Sequence, residues 1–125
     1  MIGTSMAEDG IRQAINYYVE GLREGNVETL KEGFHPQSTM CGYLGEDLLM
    51  VPIQGLYDFV AGHPAPAQSG EPFSVSIASI EVAGNVATAK INEKSYQGFD
   101  FTTFFHLLKI EDRWWIVSKI FNVAE

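Results

Sequence analysis

Apolar positions recur at helical spacing in the first part of the chain and at strand spacing in the last part. Ile11, Ala14, Ile15, Tyr18, Val19 and Leu22 form one stripe, the pattern of a helix laid against a core. Asp9 is placed to cap its start and Gly25-Asn26 to stop it, which leaves residues 1–8 as a flexible N-terminus. A second, shorter helix follows, capped by Asn26, with Val27, Leu30 and Phe34 as its stripe and His35-Pro36 at its end. Residues 38–53 read as extended, with a turn at Gly45-Glu46-Asp47. A third helix is predicted over about 54–61, with Ile53, Leu56, Tyr57 and Val60 on one side, closed by Gly62 and Pro64. The stretch HPAPAQSGEP (63–72) carries three prolines and reads as a loop.

Beyond that loop the period changes. Turn signals at Gly84-Asn85, Gln97-Gly98 and Glu111-Asp112 cut residues 73–123 into four strands, and such short turns pair neighbours antiparallel. Helices followed by a meander make an α+β layout. In 101–110 the odd positions are Phe101, Thr103, Phe105, Leu107 and Lys109, and the even ones Thr102, Phe104, His106, Leu108 and Ile110. Neither set is a solvent face, and the last strand is alike, with Trp114, Ile116 and Ile120 against Trp115, Val117 and Phe121. A half-exposed antiparallel strand alternates cleanly. These strands are therefore expected to be covered on both faces, by the helices on one and by a second copy of the chain on the other.

Composition narrows the class. A chain of 125 residues suits one domain, here 9–125. The formal charge of −8 disfavours nucleic acid as a partner and docking on anionic membranes. No apolar run is long enough to span a bilayer, and the start lacks the apolar segment of a signal peptide. One cysteine, Cys41, excludes an internal disulfide and suits a reducing compartment, so a cytoplasmic location is expected.

Two segments, NYYVEGLREGNVETLKEGFHP (16–36) and FHLLKIEDRWWIVSKIF (105–121), resemble the NTF2-like superfamily, and within it the small bacterial proteins grouped as "putative lumazine-binding" or SnoaL-like. The resemblance covers about 9–123. It implies an α+β cone, three N-terminal helices packed on a curved antiparallel sheet, with a pocket between sheet and helices and homodimers built across the sheet. That fold hosts isomerases, cyclases, dehydratases and transport adaptors, so the activity must be argued from the site.

An even-numbered loop at 111–113 puts Phe104, His106 and Leu108 on one face with Trp115, Val117, Lys119 and Phe121, and a two-residue Gln97-Gly98 turn adds Ala87, Ala89, Ile91 and Glu93. On that register Lys119 lies diagonally from His106, roughly 7 Å away. A slip of one residue would flip the set. If this face lines the pocket, Glu93 and His106 are the candidate catalytic bases, and Tyr17, His35, Tyr57, Phe104, Trp115 and Lys119 the candidate ligand-binding residues. Plainer roles stand beside these: a core or interface histidine for His106, a snorkelling side chain for Lys119, a helix cap for His35, and core tyrosines with a wet tip for Tyr17, Tyr18, Tyr43 and Tyr57. Among the carboxylates, Asp47 falls at a turn, Asp58 on a solvated helix face and Asp100 just after a hairpin turn, which leaves Glu93.

The histidines have no metal-ligand spacing, and neither a phosphate-binding glycine loop nor a G-x-S-x-G elbow occurs. No metal or cofactor is therefore expected. The ketosteroid isomerase relatives use a carboxylate base with acidic donors in an apolar cavity, and their tyrosine–aspartate motif has no counterpart here. The leading expectation is a pocket for a small apolar or ring-containing molecule. The alternatives are a cofactor-free isomerase, cyclase or dehydratase, and a protein-interaction module with a vestigial pocket.

Overall fold

The computed structural model describes residues 5–124. Helix α1 runs Met6–Glu24, capped by Ser5, whose Oγ accepts from the Glu8 N–H at 3.0 Å. The start is earlier than Asp9, because serine followed by Glu8 and Asp9 in the first turn satisfies the free N–H groups and the helix dipole together. Residues 5–8 are thus cap and helix rather than a flexible end, and 1–4 lie outside the described residues. Gly25, at φ 69°, ends α1 in the left-handed region. Helix α2, Val27–Gly33, is capped by Asn26, and α3 spans Gln54–Ala61. The proline-rich loop contains one further short helix, α4, Pro66–Ser69, with proline in its first turn.

Six strands follow this order: β1 Phe34–Leu44, β2 Asp47–Pro52, β3 Ser74–Ala83, β4 Val86–Tyr96, β5 Phe99–Ile110 and β6 Arg113–Val123. They form one sheet in the order β2-β1-β6-β5-β4-β3. Every pairing is antiparallel except β1 with β6, which is parallel. Helix α1 lays Ile11, Ala14, Ile15, Tyr18 and Leu22 on the concave face, where they meet Phe105, Leu107, Ile116, Ala89 and Ile91 in one core. Gly42 pairs with Phe121 across β1 and β6, and a Cβ there would come within 2.7 Å of the Phe121 ring. Glycine at this position lets the ring lie across the strand.

Two β-bulges decide which residues face the helices. The β5–β6 turn has two residues, Glu111 and Asp112, both at positive φ. The pairing then shifts by one, from Leu107–Ile116 to His106–Ser118, leaving Val117 unpaired. Between β4 and β5 the register shifts again between Glu93–Phe101 and Tyr96–Phe99, where Ser95 takes φ 59° and its N–H is held by the Asp100 carboxylate at 2.9 Å. Each bulge moves one strand by a single residue relative to its neighbour and so exchanges faces. The unbulged register groups His106 with Lys119 and Glu93. The observed one puts Phe101, Thr103, Phe105 and Leu107 on their side and turns Phe104, His106 and Leu108 outward.

Candidate functional site

A cavity of about 380 Å³ opens between the concave sheet and α1 and α3. Leu44, Phe59 and Phe99 stand exposed at its rim. One wall is a ladder of aromatic rings in edge-to-face contact: Phe99 on Phe101 at 6.5 Å, and Phe101 on Phe121 at 5.8 Å. Leu22, Met40, Leu49, Val51 and Leu56 complete an almost wholly apolar lining.

Three polar side chains converge in it. Tyr18, from the middle of the α1 stripe, donates its phenol hydrogen to Glu93 Oε1 at 2.7 Å. Glu93 is 2% exposed and Lys119 6%, so both ionisable groups are withdrawn from water. Lys119 Nζ lies 4.3 Å from the Phe121 ring centre and 5.7 Å from that of Tyr18, and 3.9 Å from Met40 Sδ. Among the described residues, the ion pairs do not include Lys119 with Glu93. Burial pulls the Lys119 ammonium below the ordinary lysine range, and the Glu93 charge opposes that in part. Burial, reinforced by Glu93, holds the Tyr18 phenol well above the tyrosine range. Tyr96, also in the lining, is pushed up to about 12, chiefly by burial.

The rim is braced from outside. The Glu71 carboxylate accepts from the backbone N–H groups of Gln97, at 3.0 Å, and Gly98, at 2.5 Å, while the Gln97 amide donates to the Pro64 carbonyl at 2.8 Å. These bonds tie the β4–β5 turn to the loop that carries α4.

Of the eight residues singled out from sequence, Glu93 and Lys119 line this cavity. His106 does not. It is exposed on the outer face, in a shallow groove with Val86, Thr88 and Val117. Phe104 is 43% exposed on that face. Trp115 is also outward, since the register between the turn and the first bulge is the unbulged one. It lies under the Arg113 guanidinium at 3.9 Å and edge-on to His35. His35 sits in β1 rather than at a helix end, and its Nδ1 accepts from the Gln37 N–H, so it caps no helix carbonyl. Tyr17 lines a different groove, beside Trp114 and Arg113. Tyr57 is buried in the core, with Lys31 Nζ 5.6 Å above its ring. Cys41 is half-buried.

Sequence reasoning missed Tyr18 as a site residue and counted it into the stripe. The available signal was its position: a tyrosine in the middle of an apolar stripe carries its hydroxyl inward, where it must find a partner. Among the described residues, no cluster of histidine, cysteine and carboxylate groups is arranged to hold a metal ion, and no helix is long and apolar enough to cross a membrane.

Comparison with known proteins agrees with this architecture. The family model described as "Putative lumazine-binding" matches residues 6–122. The chain is 31% identical over 120 residues to Aldolase FrzH of Cladobotryum sp, covering 95% of this chain and 93% of that protein. An NTF2-like protein of unknown function from Shewanella baltica OS155 superposes with a TM-score of 0.85 at 31% identity, over 98% of this chain and 99% of the other. Another, from Methylobacillus flagellatus KT, gives 0.88 at 29%, over 99% and 98%. The chain belongs to the putative lumazine-binding family of the NTF2-like superfamily.

Proposed function

We propose that this protein binds a small, largely apolar, ring-containing carbonyl compound between sheet and helices, and that it carries out acid–base chemistry beside that carbonyl without a cofactor. The observation that carries this reading is the convergence of Tyr18, Glu93 and Lys119 in an otherwise apolar cavity. Burying a carboxylate and an ammonium costs several kcal/mol each, and a chain under selection for stability alone would fill these positions with leucine or methionine. The aromatic ladder favours a flat ring, and the absence of a phosphate cradle or basic cluster in the lining disfavours phosphorylated ligands.

In this reading Glu93 removes a proton from the carbon next to the carbonyl. Once Glu93 carries that proton it no longer needs the Tyr18 hydrogen, and the Tyr18 hydroxyl is free to donate to the oxygen on which charge develops. Isomerisation, cyclisation, dehydration and aldol addition all pass through such an enol or its equivalent. The similarity to a protein named an aldolase supports carbon–carbon bond chemistry within that group.

The same reading includes a second copy of the chain on the outer face. Phe104 beside Ile120 and Leu108 beside Val86 are all more than a third exposed there, two apolar pairs on either side of Thr88, His106 and Ser118, and a partner would withdraw that apolar surface from water. The free cysteine suits a cytoplasmic protein.

The test is an NMR titration with acetophenone as a ring-carbonyl probe. Saturable backbone shifts at Glu93, Phe101 and Phe121, with none at His106, support the reading. Shifts confined to the outer face, or none at all, contradict it.

A further inference from the structure

Lys119 is the one lysine of five that is buried. Its amine is held among Phe121, Tyr18 and Met40 rather than in contact with a carboxylate. A lysine recruited only for charge would sit against its counter-ion. A lysine that, among the described residues, has no carboxylate within ion-pair distance, in an apolar cavity with an acid–base pair nearby, has the setting of a nucleophile.

We infer that Lys119 forms a Schiff base with the carbonyl carbon of an aldehyde or ketone held in the cavity. This rests on the pocket reading above and goes beyond it by making the intermediate covalent. The lone pair of Nζ forms the C–N bond while the carbonyl π pair moves to oxygen. The carbinolamine then loses that oxygen as water, and both amine hydrogens leave in the water. Protonation of the imine nitrogen gives an iminium, and loss of the neighbouring C–H proton to Glu93 converts it into a neutral enamine. Tyr18, hydrogen-bonded to Glu93, relays a hydrogen between the two atoms: its phenol gives a proton to the departing oxygen and takes one back from the nitrogen. The free-amine form needed for attack is favoured by the burial that lowers the basicity of Lys119. The facing titratable groups are Tyr18, Glu93 and Tyr96. Of these Glu93 alone acts in the opposite sense on the amine.

The experiment uses the intact protein at neutral pH with 4-fluorobenzaldehyde and sodium cyanoborohydride, followed by intact mass and peptide mapping. Binding of the unreactive 4-fluorobenzyl alcohol is followed in parallel by fluorine NMR. The expected result is a single reduced adduct at Lys119, formed at least ten times faster than at Lys31, Lys90, Lys94 or Lys109, and suppressed by excess alcohol. Lys119→Met should lose it, and mapping on the wild type decides the matter even if that variant misfolds. Saturable alcohol binding without an adduct at Lys119 overturns the Schiff base and leaves the pocket reading standing. Labelling spread over the surface lysines with no alcohol binding overturns both.

Discussion

The Tyr18 hydroxyl reaches Glu93 Oε1 at 2.7 Å across 75 residues of chain, joining the middle of α1 to β4. This bond holds a helix to the sheet and gives a buried carboxylate its donor. Tyr18→Phe removes the donor and leaves the acceptor in place. We expect a loss of about 1–3 kcal/mol in unfolding free energy, the usual cost of stranding a buried polar group, measured by urea denaturation. In the double variant Tyr18→Phe/Glu93→Leu the loss should be smaller than the sum of the single losses. Strict additivity would mean that the bond contributes nothing in solution.

Much of the fold was legible from pattern alone. The three main helices, the turns at 84–85, 97–98 and 111–112 and the antiparallel order of the last four strands all follow from period and turn chemistry, and the family resemblance agrees with them. The wall of the cavity was not legible, because each bulge comes from backbone geometry that side-chain type barely signals. Ser95 at φ 59° is an ordinary residue in an uncommon conformation, and Val117 is a β-branched residue that any strand would accept. Glu93 and Lys119 reach the concave side because two one-residue shifts, one in each hairpin, realign β4 and β6 with the odd residues of β5. His106, between the bulges, goes to the other face. The short helix α4 was hidden by the prolines that mark its start.

The titrating groups give stability a definite pH dependence. Tyr57 and Tyr96 are raised to about 12, and Tyr18 upward as well, burial being the first cause for each. The folded state keeps these protons where the unfolded chain loses them, above 10.0. The stability they confer is complete below that pH and is lost as pH climbs towards about 12. Lys119 acts oppositely: its folded value lies below 10.5, so between that value and 10.5 the unfolded chain binds more protons and stability rises with pH. Denaturation across alkaline pH should show the fall, with Tyr18, Tyr57 and Tyr96 resisting ionisation in the phenolate absorbance. Lys119→Met should remove the rise that precedes it.

Thr103 is fully buried on the concave side of β5, and among the described residues its Oγ1 has no hydrogen-bond partner. Thr103→Val keeps the shape and removes the unsatisfied group, so it should leave stability unchanged or raise it by about 1 kcal/mol. A loss larger than that, in thermal or urea unfolding, would show that the hydroxyl has a partner in solution.

The outer face can be probed without touching the cavity. Phe104 lies outward and Phe105 is fully buried among Tyr18 and Phe34. If two copies meet on this face, Phe104→Asp should give a folded 13.9 kDa species by sedimentation, with acetophenone binding retained. Phe105→Asp should unfold the chain. A wild-type protein that already sediments as a monomer at micromolar concentration would contradict the dimer.

Deuterium exchange reads out whether Glu93 does acid–base chemistry on a carbonyl compound in this cavity. Acetophenone in D₂O exchanges its methyl protons slowly without a catalyst, and proton NMR follows the loss of signal. Saturable exchange is expected with the wild type, at least a tenfold lower rate with Glu93→Gln, and no change with His106→Phe. Exchange that persists in Glu93→Gln but falls in His106→Phe would place the chemistry on the outer face and rule out Glu93 as the base.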